Sequence, residues 1–215
     1  MTDSPELVAR KDALLEGTLP EVTFDGWSLV SLRNGAKSAG IEESEIALLF
    51  PEGPGEAALW LDDWADRKML AALEAMDLSA LKVRRRVAAG VEARLTALAP
   101  YREAVRRAIA LKATPWGAVR AVQILYRTVD AIWYAAGDTA TDFNFYTKRS
   151  LLAAVYTPTI LYWLNDRSEG SADSFAFLDR RLADVMKLPQ LGGGLRQAVK
   201  RAVMPFKLFR REARR

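Results

Sequence analysis

The chain has 215 residues, half of them hydrophobic, with a formal charge of +4 and neither cysteine nor histidine. Its length suits one domain, or a large domain with a small helical head, and its apolar content is enough to bury a core. Disulfides, thiolate metal sites and cysteine nucleophiles are excluded, as are imidazole-built zinc sites, the Ser-His-Asp arrangement and the Glu-x-x-His di-iron pattern. Carboxylates and lysines remain, but they are scattered, so no enzyme and no cofactor are expected.

The first residues, MTDSPELVAR, are acidic and lack a basic segment followed by an apolar one. They read as neither secretory signal nor transit peptide, which gives the expectation of a cytoplasmic, bacterial protein. The pattern then predicts a helix over 5–19 closed by Pro20, and a second capped by Asp25 that runs through Trp27, Leu29, Val30 and Leu32 to Ala39. Gly40 supplies a turn, and EESEIALLF, 42–50, makes a short third helix ending at Pro51. Helix, helix, glycine turn and short helix is the outline of a helix-turn-helix head.

Longer helices are predicted over 56–76, 78–98, 101–112, 116–136, 142–165 and 172–186, with a final one from about Leu195. Breakers stand between them at Pro100, Pro115, Gly137, Gly170 and Gly192–Gly194. The apolar run 151–164 contains Pro158 and is shorter than the roughly 20 residues a spanning helix needs, so no transmembrane segment is expected. No window alternates with period 2, so the fold class is all-α. A three-helix head on a larger bundle is the outline of TetR-type regulators, and this analogy predicts a TetR-like bundle with a head at 1–53, a bundle at 54–190 and a tail at 191–215. The same analogy gives the expectation of a homodimer through the last bundle helices.

A DNA-reading helix carries cations or amides toward bases and phosphates. The third helix instead offers Glu42, Glu43 and Glu45 and no cation, so no DNA binding is expected of the head. A ligand-responsive transcription regulator is accordingly the weaker functional alternative.

The stretch DTATDFNFYTKRS, 138–150, sets aromatics and a Lys-Arg pair at the head of an apolar helix that Thr141 or Asp142 can cap. At 100° per residue Phe145, Leu152, Tyr156, Thr159 and Trp163 share a core face. Phe143, Tyr146, Ser150, Ala153 and Thr157 fall on a face with little apolar backing. Phe143 and Tyr146 either staple the helix start to the preceding loop or form an exposed anchor for a partner. Arg149 is expected to brace the turn by pairing with Asp138 or Asp142, and Lys148 to be solvated.

GDTATDFNFYTKRSLLAAVY, with VDAIW at 129–133 and FLDRRLADVM at 177–186, resembles the signature of the coenzyme Q biosynthesis protein nine family. The resemblance extends to GW at 26–27, NGAKSAG at 34–40 and LFPEG at 49–53, and covers about 22–187. It implies a TetR-like protein that binds ubiquinone precursors or other isoprenoid lipid in an apolar pocket. It further implies assistance to the di-iron hydroxylase of the quinone ring, and docking on the membrane through a C-terminal amphipathic helix. On the same ground Asp142, Asn144, Phe145, Tyr146 and Arg149 are the candidate partner-binding residues. Family members usually carry Trp where this chain has Phe145.

A pocket for a polyprenyl tail needs surplus apolar lining, and Pro158 is expected to kink its helix. The candidates are Met69, Leu73 and Met76; Ile124, Leu125 and Ile132; Leu152, Tyr156, Ile160 and Trp163. A solid core would use the same positions.

From Leu195 onward eight Lys/Arg stand against one acid, Glu212, so the tail carries +7 and residues 1–194 carry −3. Apolar residues there recur at i, i+3, i+4 and i+7, with cations on the remaining surface, as an interfacial helix requires. Leu195, Val199, Lys200, Val203, Phe206, Lys207, Phe209 and Arg210 are the candidate membrane-binding residues, facing the anionic inner side of the cytoplasmic membrane.

Overall fold

The computed structural model describes residues 3–113, 115–138 and 143–187; the expected tail helix and its membrane-binding residues lie outside them. The described residues hold nine α-helices and no strand: α1 Pro5–Asp25, α2 Leu29–Ala39, α3 Ile46–Leu49, α4 Pro54–Glu74, α5 Val83–Leu98, α6 Arg102–Lys112, α7 Pro115–Ala135, α8 Phe143–Trp163 and α9 Ala172–Lys187. No described helix is long and apolar enough to cross a membrane. One compact unit comprises the chain up to Lys68 together with Ala97–Ala121, and a second comprises Met69–Thr96 together with the chain from Val122.

In the first unit, Ser4 caps α1 by accepting from the Leu7 N–H (3.2 Å), with Pro5 in the first turn. The helix does not stop at Pro20 as predicted, but continues to Asp25 and ends at Gly26, whose φ is +67°. Leu14, Leu15, Leu19 and Val22 are buried on either side of the proline, so their packing offsets the missing hydrogen bond. Asp25 is therefore not the cap of α2. Ser28 and Ser31 close a reciprocal capping box there, each hydroxyl accepting from the other's N–H at 3.2 and 3.1 Å.

The third helix is shorter than predicted. Glu43–Glu45 form a 3₁₀ turn, and the α-helical part is the single turn Ile46–Leu49, whose Ile46 and Leu49 are buried. Its acids draw in the nearest arginines, Glu43 pairing with Arg33 and Glu45 with Arg10. The unit also reaches beyond residue 53, because side chains of α4 bond to α1. Trp60 Nε1 donates to Asp12 (2.8 Å), Trp64 Nε1 donates to Glu16 (2.9 Å), and Arg67 forks onto Asp12.

The second unit packs α5, α7, α8 and α9 with the end of α4. A Cβ on Gly90 would meet Ile132 at 2.9 Å, so glycine there permits a close approach of α5 to α7. α8 is one uninterrupted helix across Pro158. The hydroxyls of Thr157 and Thr159 donate to the carbonyls of Ala153 (2.9 Å) and Val155 (2.7 Å), on either side of the carbonyl that Pro158 leaves without its helical donor.

Between α8 and α9, Asp166 accepts from the N–H and hydroxyl of Ser168 (2.8 and 2.6 Å) and of Ser174 (2.9 and 2.5 Å). It thereby satisfies an orphan donor of the first turn of α9. Burial alone would raise this carboxyl, but the bonds from Ser168 and Ser174 outweigh it and hold the group at about 2. A carboxyl depressed in the folded state stabilises above its ordinary value near 3.8, and that contribution is lost as pH falls through about 2. Asp166→Asn should therefore cost on the order of 1–2 kcal/mol at pH 7, with the difference from wild type vanishing toward pH 2. Denaturant melts at pH 7, 4 and 2.5 check this; a penalty independent of pH would place the effect in packing and not in the charge.

Candidate functional site

The expected pocket residues gather in the second unit. Met69, Leu73, Ile132, Leu152, Tyr156 and Trp163 are buried, and Ile124, Leu125 and Ile160 are half-buried. Met76 is a correction: α4 ends at Glu74, and Met76 lies beyond it, 46% exposed. Sequence reasoning also missed Arg94. This arginine of α5 is 1% exposed and its guanidinium donates to the Tyr156 hydroxyl at 2.5 Å, placing a cation among the apolar side chains. The signal was present, since Arg94 interrupts the stripe Val87, Val91, Leu95 and Leu98 at helical spacing.

A groove of about 470 Å³ lies elsewhere, in the first unit, among α4, α6 and α7. Leu59, Ala108 and Leu111 line it, but so do Glu52, Lys112 and Arg120, with Glu52 paired to Arg120 and Lys112 to Asp62. None of the ten expected lining residues belongs to it. Its mixed, charged lining suits a hydrocarbon tail poorly.

The second candidate feature is the corner where α7 gives way to α8. The Asp138 N–H donates to the Trp133 carbonyl and the Gly137 N–H to the Tyr134 carbonyl, both at 3.0 Å, which is a Schellman ending. It requires the left-handed backbone of Gly137, φ +87°. Arg86 of α5 secures this end. Its guanidinium donates to the carbonyls of Ala136 (3.3 Å), Leu81 (2.8 Å) and Ser79 (3.2 Å), setting a cation against the negative end of α7.

Within the corner, Asp138 is the shared acceptor. Lys148 donates to its Oδ1 (2.6 Å) and Arg149 to its Oδ2 (3.1 Å), and the carboxylate side chain is only 5% exposed. Arg149 also pairs with Asp130 of α7 and donates to the Phe145 carbonyl (3.2 Å). Its guanidinium carbon stands 3.3 Å from the centre of the Phe145 ring, and that ring meets Tyr146 edge to face at 5.2 Å. Lys148 keeps a side chain 38% exposed, in line with the expected solvation, but it is also engaged: besides Asp138, its ammonium lies 5.4 Å from the Trp133 ring, while Trp133 Nε1 donates to the Lys148 carbonyl (3.1 Å). Tyr134, the neighbour of Trp133, is 79% exposed.

Of the five partner-binding candidates, Phe145 and Tyr146 are half-buried on the first turns of α8. Asn144 lies on the same turn, and Asp142, with Thr141, is outside the described residues. Arg149 is buried, its side chain 3% exposed, because two carboxylates and the Phe145 ring enclose it. The expected pairing with Asp138 is present, whereas the participation of Asp130, Trp133 and Arg86 was not foreseen. What the corner offers is an aromatic pair held by a network of charge-assisted bonds.

Residues 118–189, which include the whole corner, match the family COQ9. The chain is 31% identical over 182 residues to the human mitochondrial ubiquinone biosynthesis protein COQ9, covering 81% of this chain and 57% of that one. It is 27% identical to the probable mitochondrial ubiquinone biosynthesis protein coq9 of Dictyostelium discoideum, covering 88% and 64%. The chain thus spans somewhat more than half the length of the curated relatives it matches. Among solved structures, a TetR transcriptional regulator from Nitrosomonas europaea superposes with a TM-score of 0.69 at 26% identity, covering 84% of this chain and 99% of that one. The fold is therefore TetR-like. These relatives overturn the bacterial cytoplasmic location expected from MTDSPELVAR, since the human, Dictyostelium and Drosophila melanogaster proteins are mitochondrial. The charge of ten residues is too local a signal to fix a compartment.

Proposed function

Since the chain belongs to the COQ9 family, we propose that it serves ubiquinone biosynthesis as a lipid-binding accessory protein and not as a catalyst. In this reading the apolar interior of the second unit takes up a prenylated quinone intermediate, and the α7–α8 corner presents the loaded protein to a membrane-bound di-iron quinone hydroxylase. The interior replaces bilayer around the tail, at about 25 cal/mol for each Å² of apolar surface kept from water. The observation that carries the reading is the corner itself, an aromatic pair braced from below within the segment shared with the family. Rigid aromatic side chains lose little entropy on docking, which suits them to anchor an interface. The regulator alternative draws on the TetR neighbour. Against it stands a third helix of one turn, preceded by exposed Glu42 and Glu43, where a groove-reading helix would need cations.

Tyr146→Ala tests the docking half of the proposal. Loss of an aromatic anchor should weaken association with the purified hydroxylase by roughly 2 kcal/mol, or about thirtyfold, with the melting midpoint and bound lipid unchanged. Affinity by biolayer interferometry beside a thermal melt reads both quantities. Unfolding of the variant would instead make Tyr146 a packing residue that staples the start of α8.

A further inference from the structure

We propose that Arg149 is a positioning residue of the docking corner, one that touches no partner but sets the plane of the Phe145 ring and, through it, of Tyr146. The inference rests on the docking role proposed above and assigns the control of that role to a buried side chain. Three observations carry it. The guanidinium is nearly inaccessible, so it cannot offer its charge to another protein. It lies 3.3 Å from the centre of the Phe145 ring, at stacking distance, and also donates to the Phe145 carbonyl at 3.2 Å, gripping both the ring and the backbone of the same residue. Its own orientation is fixed from the far side by Asp130 of α7 and by Asp138, which lies just beyond the Schellman ending.

A planar cation with two carboxylates at its edge has its flat face left for a ring, and Phe145 occupies it. Lysine keeps the charge but has neither the plane nor the fork. Phe145 in turn meets Tyr146 edge to face at 5.2 Å, with the planes 76° apart, so the orientation passes along the pair. Asp138 also holds Lys148, whose carbonyl and ammonium both engage Trp133. The support of the aromatic pair is thereby tied to α7 at two points. In this account the half-exposed rings make the contact, and the buried arginine decides how they are displayed.

The test is a double-mutant cycle on affinity for the purified di-iron hydroxylase, using the full-length chain carrying Arg149→Lys, Phe145→Ala or both. Each single change should weaken binding by about tenfold, and the double change also by about tenfold, because lysine at 149 acts only through the ring that alanine removes. A double loss near the product of the two single losses would overturn the proposal. So would an Arg149→Lys protein that binds like wild type. Should Arg149→Lys not fold, Phe145→Leu keeps the apolar volume while removing the ring face, and must show the same tenfold loss with an unchanged melt; unaltered affinity there would refute the role. Failure of the wild-type chain to bind the hydroxylase would sink the docking reading and this inference together. Wild-type binding with independent losses would sink this inference alone.

Discussion

Gly35→Ala should lower the stability of the protein by about 3 kcal/mol or more, the upper end for overpacking a tight contact. A Cβ at Gly35 would stand 2.6 Å from the backbone nitrogen of Thr18 and 2.7 Å from its Cα, and closer still to its hydroxyl oxygen. Only the hydroxyl could rotate away, and it is committed to the Leu14 carbonyl at 2.7 Å. The reciprocal position is equally closed, since a Cβ on Gly17 would press on the Gly35 carbonyl. α1 and α2 must therefore separate, which opens the core built from Leu14, Leu32 and Ala36. For a chain of this size the loss corresponds to a fall in Tm of roughly 6–12 °C. Gly55→Ala is the control, because nothing lies within 4 Å of its added Cβ. Thermal unfolding followed by circular dichroism reads both; equal effects at the two glycines would contradict the close crossing of α1 and α2.

The second large effect concerns the tail, 195–215, which carries eight cations against one acid. If four or five of these reach anionic headgroups at roughly 1 kcal/mol each, their removal costs about 4 kcal/mol, or near a thousandfold in vesicle affinity. On the same reading apolar Leu195, Val199, Val203, Phe206 and Phe209 would add a contribution that salt does not screen. Truncation after Gly194 should abolish sedimentation with vesicles rich in anionic lipid, whereas added salt should weaken binding of the full chain without eliminating it. Equal binding by the truncated protein would remove the tail from the account.

Much of the fold was legible because proline and glycine punctuate a 3.6-residue pattern, and α6 to α9 begin near those breakers; between Glu74 and Val83 there is neither residue, and there α5 starts later than the expected 78. The misreadings have local causes. Pro20 resembled a stop, yet buried neighbours on both sides carry α1 through it. Asp25 resembled a cap, but Ser28 lies closer to the first buried residue of α2 and has Ser31 to answer it.

At the candidate site, the aromatic head of α8 and the Arg149–Asp138 pair follow from short-range spacing. Arg86 reaching Ala136, fifty residues away, and Arg94 reaching Tyr156, sixty-two away, do not. Helical periodicity states which face a residue occupies but not which helix lies opposite. Lys148 shows the same limit: its place on the helix surface pointed to solvent, which it reaches, but not to the ring of Trp133 on α7 or to Asp138 just beyond the end of that helix.

The central claim is that this protein carries a prenylated quinone intermediate. It is tested most directly by purifying the full-length chain from a host that makes ubiquinone, extracting it with organic solvent and identifying the lipids by mass spectrometry. The account predicts prenylated quinone precursors near one per chain, retained in the Tyr146→Ala protein because the corner does not form the apolar interior. An extract without lipid, or with bulk membrane phospholipid alone, would contradict it.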